Sequence, residues 1–403
     1  MIESTVTVIG AGYAGVVAAN RVQASLAPDE RGRVRVVVVN TTGVFVERVR
    51  LHELAAGARD SVTLPLADML HPDIEVVVGR VTAIDADARR LTVDTPDGET
   101  IRQYSTLVYA VGSVSALGAP GAAEFAHLLG NTDGAETARA ALAAGSPGQR
   151  VVVVGGGATG VEAAAEFAEQ YPAASVTLLS RGRVLGNLSA GARRSVSRSL
   201  AGLGVRVIEQ ASVARVLADG VCLDGGEVLP SDVTVWTASF AVPALARTSG
   251  LPVDPTGRLL VDERLRVVGR PEIFGAGDAV RPPDSVGSHL RMGCAIAMPI
   301  GAHAADNVLA ALRGEPLARL DVGFAAQCIS IGRRAGVIQL LTRADRPTAV
   351  RITGRAGAWV KEWVCSVLAT GGPRREREKP GSLPVVKGPR RMPESAARVP
   401  AGR

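Results

Sequence analysis

Two stretches of the chain share one pattern of apolar and polar positions. Each begins with a short apolar run, Val6 to Ile9 or Val151 to Val154, of the length expected for a buried parallel strand. Each run closes on a glycine-rich hexapeptide, Gly10 to Gly15 or Gly155 to Gly160. The pattern predicts two copies of a strand–glycine turn–helix unit, with the alanine-rich helices near 16–23 and 161–170.

The glycines of each unit occupy positions with separate physical roles. The first permits a tight turn, the second lets the backbone approach a pyrophosphate, and the third lets the helix pack closely on the strand. The helix N-terminus adds unpaired N–H groups and the positive end of a dipole. Two units therefore predict two bound dinucleotides, with electrons passing between them. The glycines concerned are Gly10, Gly12 and Gly15 in the first unit, and Gly155, Gly157 and Gly160 in the second.

Further apolar runs extend both units into domains. Residues 34–39 and 107–112 predict buried strands of the first domain, and the run before Gly277 and Asp278 indicates that the chain returns to that domain. We predict an α/β fold of two Rossmann-like dinucleotide-binding domains of the three-layer ββα type, the second inserted in the first. The expected bounds are 1–118 and 238–323 for the first domain, 119–237 for the second, 324–370 for a C-terminal hairpin and short helix, and 371–403 for a basic, disordered tail.

Composition and charge restrict the class of protein. The longest apolar runs stop well short of the roughly 20 residues that span a bilayer, and no signal peptide opens the chain, so we expect a cytoplasmic protein or one held peripherally on the cytoplasmic membrane face. The net charge of +6 lies entirely in residues 371–403, which hold nine Lys/Arg and three Glu. The chain up to residue 370 is therefore electrically balanced, and no nucleic-acid partner is expected.

The four cysteines lie far apart, at Cys222, Cys294, Cys328 and Cys365. Neither a C-x-x-C nor a C-x-x-x-x-C pair occurs, so the sequence signals neither a metal site nor a dithiol redox centre. We expect these thiols to be small core residues in a reducing compartment.

Four separated elements, spread between Val6 and Gly332, resemble the pyridine-nucleotide-disulfide oxidoreductase superfamily in type and order. They are Gly10 to Gly15, Leu107 to Gly112, Gly155 to Glu162 and Phe274 to Asp278. The resemblance implies that the first domain binds FAD, that the second binds NADH or NADPH, and that the late Gly-Asp closes over the flavin ribityl chain.

The missing cysteine pair argues against the disulfide reductases of that superfamily. The segments Phe45 to Glu53, Cys328 to Arg334 and Lys361 to Val364 instead look like the type II NADH dehydrogenase branch and its ferroptosis-suppressor-like relatives. This resemblance implies quinone reduction through FAD. It also implies that the helix from Cys294 to Asn307 contacts flavin and quinone.

The resemblance assigns FAD contacts to individual residues. Asn40 stands where an acid usually binds the adenosine ribose, and an amide can still hold the ribose less strongly. Asp278 would accept a bond from a ribityl hydroxyl, and the helix after it would stabilise the anionic reduced flavin through its dipole. The remaining FAD contacts are assigned to the glycines of the first turn and to Tyr13, Ala14, Val81, Gly112 and Gly277.

The nicotinamide nucleotide is assigned to the second unit. Thr159 belongs to the glycine turn, and Glu162 is expected to orient the nicotinamide against the flavin, whereas Glu166 one turn further on is expected to face solvent. Ser180 and Arg181 stand where an acid would select a free 2′-hydroxyl, and an arginine there suits a 2′-phosphate. The sequence therefore raises the hypothesis that NADPH is used as well as, or in preference to, NADH.

Several residues carry two interpretations that the sequence leaves open. Arg48 would contact the flavin or the quinone headgroup, or would belong to a salt-bridged helical face. His52 and His289 are candidate proton donors, although a lone histidine is more often structural. Trp359 and Trp363 fit an interfacial membrane anchor and helical core packing equally well.

The leading hypothesis is an FAD-dependent enzyme that passes hydride from NAD(P)H to FAD and then electrons to a quinone or another small acceptor. Two rivals remain: a reductase for a small redox protein such as a ferredoxin, and a redox-sensing flavoprotein that turns over slowly. A homodimer and a peripheral membrane contact through the C-terminal segment are further expectations.

Overall fold

A computed structural model describes residues 2–390 of the chain. The first part contains, in chain order, β1 (Ser4–Ile9), α1 (Tyr13–Ala24), β2 (Val34–Asn40), β3 (Val44–Val46), a 3-10 turn (Arg48–Arg50), α2 (Leu51–Ala55), β4 (Thr63–Pro65), α3 (Leu66–Met69), β5 (Glu75–Val78), β6 (Arg80–Asp85), β7 (Arg90–Thr95), β8 (Gly98–Gln103), β9 (Thr106–Tyr109) and β10 (Val114–Ser115).

The middle part contains α4 (Ala122–Phe125), β11 (His127–Leu128), α5 (Thr132–Ala144), β12 (Arg150–Val154), α6 (Ala158–Gln170), β13 (Ser175–Leu179), α7 (Ala190–Gly202), β14 (Arg206–Ile208), β15 (Val213–Leu217), β16 (Gly220–Leu223), β17 (Val228–Pro230) and β18 (Val233–Trp236).

The last part contains β19 (Phe240–Ala241), α8 (Leu245–Thr248), β20 (Leu259–Leu260), β21 (Arg266–Val267), β22 (Arg270–Gly275), a 3-10 turn (Gly277–Ala279), β23 (Val280–Arg281), α9 (Asp284–Gly287), α10 (Cys294–Leu312), β24 (Ala326–Ile331), β25 (Ala335–Leu341), β26 (Pro347–Thr353), α11 (Gly354–Trp363), a π-helical turn (Val364–Thr370) and α12 (Gly371–Arg375).

Two sheets organise these elements, and both are parallel except for the antiparallel edge strand β21 of the first. The first has the order β21-β22-β9-β1-β2-β5 and the second the order β11-β18-β12-β13-β14. Strand β22 pairs with β9 although all strands of the second sheet lie between them in the chain. The second nucleotide-binding unit is therefore inserted in the first, as the sequence predicts.

Each unit also carries a three-stranded antiparallel sheet, β6-β7-β8 in the first and β15-β16-β17 in the second. Together with the parallel sheet and the helices they form the expected three layers. The central parallel strands are buried because their residues are apolar. Val6, Val8, Val151 and Val153, for example, have no exposed surface. The individual domain bounds given above stay a prediction.

The C-terminal part differs from its prediction in two ways. The stretch expected to be a hairpin forms three antiparallel strands, β24-β25-β26, and the helix after it continues through the π-helical turn into α12. The tail predicted to be disordered from residue 371 is ordered as far as 390. Glu376 is fully buried there, accepts hydrogen bonds from Gly381 N and Leu383 N, and pairs with Arg21 Nε at 2.8 Å. Residues 391–403 lie outside the described part of the chain.

Candidate functional site

The two glycine turns are built alike at the atomic level. Gly10 has φ of +97° and Gly155 of +130°, in a region that side chains disfavour. A Cβ on Gly15 would lie 1.8 Å from the carbonyl oxygen of Gly10, and a Cβ on Gly160 would lie 1.8 Å from that of Gly155. Helix and strand therefore approach so closely in both units that only glycine fits.

The middle glycines face open space. A Cβ on Gly12 or Gly157 would meet no atom within 4 Å. Each residue immediately precedes a helix, α1 or α6, whose N-terminus has no side-chain cap. In contrast, the side chains of Asn131 and Ser189 cap α5 and α7. Two uncapped helix ends that open onto free space fit the phosphates of two dinucleotides.

Asn40 reaches the first turn from the end of β2. Its Oδ1 accepts a hydrogen bond from Ala11 N at 3.0 Å, and its Nδ2 donates to Thr42 O at 2.8 Å. The amide thus braces the glycine turn itself. A carboxylate could not make the second bond, which gives a structural reason for asparagine here. The ribose contact stays a prediction.

Tyr13, the first residue of α1, stands beside the same turn. Its ring packs edge-on against Phe45 with centroids 5.1 Å apart, and its buried hydroxyl has no hydrogen-bond partner among the described residues. Burial raises the pKa of this hydroxyl well above its ordinary value. A buried donor left without a partner is costly, so the hydroxyl fits contact with a bound group.

Asp278 ties together three elements near that turn. Its Oδ1 accepts from Gly293 N, the residue before α10, and its Oδ2 accepts from Ser113 Oγ, both at 2.8 Å. Arg48 Nη1 in turn donates to the Ser113 carbonyl at 2.8 Å. Arg48 therefore lies beside the site rather than on a solvated helical face. Its role toward flavin or quinone stays a prediction.

The other residues assigned to FAD lie at two turns and on one strand of the first domain. Gly112 has φ of +69°, and a Cβ there would lie 3.9 Å from Arg48 Nη1. Gly277 has φ of +79° and packs against Ala14, whose Cβ lies 2.9 Å from where a Cβ on Gly277 would stand. Val81 is half-buried on β6.

Glu162 forms a buried ion pair with Lys361 of α11. Lys361 Nζ lies 2.8 Å from Glu162 Oε1, which also accepts from Ser330 N at 3.1 Å. Burial alone would raise the pKa of Glu162, but the neighbouring groups, chief among them Lys361, together outweigh burial and hold the pKa below its ordinary value. Burial opposes the charge on Lys361 as well, yet Glu162 raises the pKa of the ammonium. Both groups are therefore charged.

The charge of Lys361 acts on Cys294 at the start of α10. Burial raises the pKa of the Cys294 thiol to about 11, and the charges of Lys361 and Asp278 both act on this thiol. Lys361 enters the sequence prediction only within the segment Lys361 to Val364 that resembles the type II NADH dehydrogenase branch, and its contact with Glu162 is not predicted. The signal that could have found it is its placement between Trp359 and Trp363, because both tryptophans are exposed and Lys361 points the other way.

The structure separates the two candidate histidines. His52 is buried beside Glu162: its Nε2 lies 3.3 Å from Ser330 Oγ, which lies 3.3 Å from Glu162 Oε1. Burial lowers the pKa of His52 to about 4, so the ring is neutral. His289 instead bonds the Val322 carbonyl at 2.7 Å, a structural contact.

The second unit differs from expectation at one residue. Glu166, expected to face solvent, is fully buried and pairs with Arg333 Nε at 3.0 Å. Burial raises the pKa of Glu166 to about 7, although Arg333 opposes the shift. Ser180 is buried against Gly156, and Arg181 is exposed at the same edge.

The comparisons with known proteins agree with this architecture. The family model of the pyridine nucleotide-disulphide oxidoreductases matches residues 4–294. The chain belongs to this family. The resemblance inferred from the glycine motifs is thereby confirmed.

Similar proteins and solved structures match most of this chain. An NADH dehydrogenase-like protein of Mycobacterium tuberculosis is 36% identical over 359 residues, 82% of this chain and 86% of that protein. A demethylphylloquinone reductase of Synechocystis is 25% identical over 347 residues, 83% and 86% of the two chains. The fold is similar to NDH2 of Plasmodium falciparum in complex with NADH, with a TM-score of 0.76 at 16% identity over 93% of this chain and 97% of that chain. It is also similar to the sulfide:quinone oxidoreductase of Aquifex aeolicus, with a TM-score of 0.78 at 20% identity over 94% and 93%.

One described helix, α10, is long and apolar enough to cross a membrane by length and composition. Of its apolar window, 67% is buried inside the protein, as in the core helix of a globular domain. The cytoplasmic or peripheral location stays a prediction.

Proposed function

We propose that the protein is an FAD-dependent NAD(P)H oxidoreductase that passes electrons to a quinone. The observation that carries the proposal is the buried Glu162–Lys361 ion pair, whose Lys361 charge acts on Cys294 at the start of α10, in a chain with two open glycine turns. A quinone that gains two electrons must also gain two protons, and this pair holds a proton on Lys361 Nζ in a water-poor site. The names of the quinone-reducing relatives support the same class of acceptor.

The residues of the first unit would hold FAD, which when bound accepts a hydride and returns two electrons. The uncapped N-terminus of α1 would bind the pyrophosphate, with Asn40 keeping the turn in shape. Asp278 would hold the ribityl chain while fixing the start of α10. The second unit would hold the nicotinamide nucleotide at the N-terminus of α6.

The test of this function is anaerobic mixing of the purified yellow protein with NADH or NADPH, followed by a panel of acceptors. We expect bleaching of the flavin absorbance and rapid reoxidation by a soluble quinone. Turnover with ferredoxin plus cytochrome but not with quinone would identify the rival reductase, and a long-lived reduced form with negligible turnover would identify the redox sensor. A colourless protein that takes up no FAD would refute the whole proposal.

The second nucleotide edge supports use of NADPH. No acid follows β13, since Ser180 stands there with its side chain buried against Gly156. Arg181 and Arg183 are exposed at that edge, and no hydrogen bond or ion pair engages either side chain in the described structure. We propose that they bind a 2′-phosphate. Arg181→Ala should lower kcat/KM for NADPH about tenfold and leave that for NADH within twofold, whereas a wild-type preference for NADH that the substitution does not alter would contradict the assignment.

The exposed face of α11 supports peripheral membrane contact. Trp359 is 71% exposed and Trp363 45%, and the neighbouring strand adds Val350 and Ile352, both exposed. Core packing therefore does not account for the tryptophans, and we propose that they enter the interfacial region of a bilayer. Sedimentation with anionic phospholipid vesicles should deplete the protein, and the double substitution of both tryptophans by serine should prevent it. Equal sedimentation of both proteins would refute the contact.

A further inference from the structure

A row of polar side chains leads inward from the protein surface to Glu162. We call this row, made of Arg333, Glu53, His52 and Ser330, the file. Next to Glu162 Oε1 stands Ser330 Oγ at 3.3 Å, and next to Ser330 stands His52 Nε2 at 3.3 Å. Beyond His52 lies Glu53, whose Oε1 is 4.0 Å from the same Nε2. Glu53 pairs in turn with Arg333 Nη1 at 3.2 Å, and the Arg333 side chain is 35% exposed.

Separate parts of the chain build this file. Glu162 lies on α6, Ser330 on β24, His52 and Glu53 on α2, and Arg333 in the turn after β24. All of them except Arg333 are buried. Burying so many polar groups costs stability unless they bond one another, and none of them is needed to complete a sheet or to cap a helix.

Burial keeps the ring of His52 neutral. Burial acts first, and Lys361 and Arg333 act in the same direction, while Glu162 and Glu53 oppose them; the net effect lowers the pKa of His52 to about 4. A neutral imidazole can accept a proton at one nitrogen and release it again, which a permanently charged group could not do. The Ser330 hydroxyl can likewise donate and accept at once.

We propose that Ser330 and His52 form the path by which solvent protons reach the Glu162–Lys361 pair. The inference rests on the proposed quinone reduction. When Lys361 Nζ gives a proton to the reduced acceptor, the Ser330 hydroxyl hydrogen moves to Glu162 and on to Nζ. A proton that has entered from the Glu53 side and bound His52 Nε2 then moves to Ser330 Oγ. One solvent proton is consumed and every group ends as it began.

The outer end of the path is suited to take up protons. Arg333 bridges Glu53 and Glu166, so that the two carboxyl groups share one guanidinium at the surface. The raised pKa of Glu166, about 7, keeps a proton available there at neutral pH. Arg333 is the exposed member of this group. Water can therefore reach Glu53 and Glu166 from the side of Arg333 without reaching Glu162.

The test removes the hydroxyl link and measures the two half-reactions separately. Ser330→Ala should slow flavin reoxidation by a soluble quinone at least about tenfold, in the range expected for a lost proton-transfer group, and leave anaerobic flavin reduction by NADH within twofold. Ser330→Thr, which keeps a hydroxyl, should recover most of the rate. The matched control is Thr234→Val, because Thr234 carries a buried hydroxyl that donates to Ser231 Oγ and lies outside the file.

A second readout does not depend on turnover. The chain has five histidines, and His52→Gln assigns the His52 signal in ¹⁵N-histidine NMR spectra of the holoprotein. Ser330→Ala should move the Nε2 resonance of His52 and Thr234→Val should not. His52→Gln should itself slow reoxidation as Ser330→Ala does, which keeps the test open if one variant folds poorly.

The outcomes separate the two proposals. Wild-type reoxidation rates in both Ser330→Ala and His52→Gln would overturn the proton path while leaving quinone reduction intact. A wild-type protein that is reduced by NADH but not reoxidised by any quinone would overturn the proposed function. An unmoved His52 resonance in Ser330→Ala would show that the two side chains do not meet and would overturn the path by itself.

Discussion

The substitution Gly157→Ala should separate nucleotide binding from folding. Gly157 precedes α6 with φ of −81°, which alanine adopts without strain, and an added Cβ would meet no atom within 4 Å. Alanine is a poorer N-cap than glycine, while it also reduces the entropy of the unfolded chain. Because these opposing effects are each about 1 kcal/mol or less, the free energy of unfolding should change little.

Binding should respond differently, because the methyl group would fill the space that the phosphates approach. Losing one charge-assisted hydrogen bond to an N–H group of α6 costs about 1.5–3 kcal/mol, which is about ten- to hundredfold in Kd. Isothermal titration of the holoprotein with NAD⁺ measures this, since NAD⁺ binds without reducing the flavin. The FAD content should not change.

Two glycines provide matched controls. In Gly160→Ala the Cβ would stand 1.8 Å from Gly155 O and 2.8 Å from Thr237 Oγ1, so the free energy of unfolding should fall by about 1–3 kcal/mol. Gly12→Ala, the equivalent change in the first unit, should reduce the FAD content instead and leave folding intact. If Gly157→Ala bound NAD⁺ as tightly as the wild type, the second turn would not be the phosphate site and the reasoning would be refuted.

Three further predictions concern buried charges. Glu166 has a folded pKa of about 7, above its ordinary value of 4.5. Its contribution to stability is therefore present below pH 4.5 and is lost as the pH rises through 7. In urea unfolding over that range, the free energy of unfolding of Glu166→Gln should rise relative to wild type by up to about 3 kcal/mol. Lys361→Met would leave Glu162 buried without its partner, so the pKa of that carboxyl should rise, and urea unfolding at pH 8 should show a loss of about 3–5 kcal/mol. Glu376→Ala should cost a similar amount, because it removes the buried partner of Arg21, and an unchanged unfolding midpoint would show that the ordered tail contributes nothing to stability.

The glycine turns could be predicted from the sequence because their chemistry is local. Whether Gly10 or Gly15 tolerates a side chain is decided by atoms within a few residues in the chain and by the strand next to it. The same holds for the alternation of strands and helices, which set both the sheet order and the insertion of the second unit. Local periodicity and turn chemistry therefore sufficed for the two nucleotide-binding units, whereas they predicted neither the third C-terminal strand nor the order of residues 371–390.

The tail illustrates the opposite case. Residues 371–390 have few apolar side chains, and composition alone predicts disorder. They are ordered because Glu376 finds Arg21, which stands 355 residues earlier on α1, and because its second oxygen holds Leu383 N at 2.6 Å. The Glu376–Arg21 pair, its backbone bonds and further contacts of the segment with the rest of the protein together overcome the composition, and no periodicity in the tail predicts them.

The candidate site combines both cases. Glu162 could be singled out because it follows the second glycine turn by two residues, but its partners could not, since Ser330 and Lys361 lie 168 and nearly 200 residues further along. Both partners fall in segments that resemble the type II NADH dehydrogenase branch, but nothing in the spacing of the sequence pairs either of them with Glu162. The C-terminal sheet β24-β25-β26 brings them together. Its strand β24 lies against α6, and α11 packs over β24 and β25. The C-terminal sheet and helix therefore do more than complete the fold: they make a nucleotide-binding helix one wall of a buried, charged site.

If that wall were only structural, the Glu162–Lys361 pair would be better replaced by apolar residues of equal volume. The simultaneous replacement of Glu162 and Lys361 by Gln and Met should accordingly leave the protein folded and reducible by NADH, yet unable to reduce quinone at the wild-type rate.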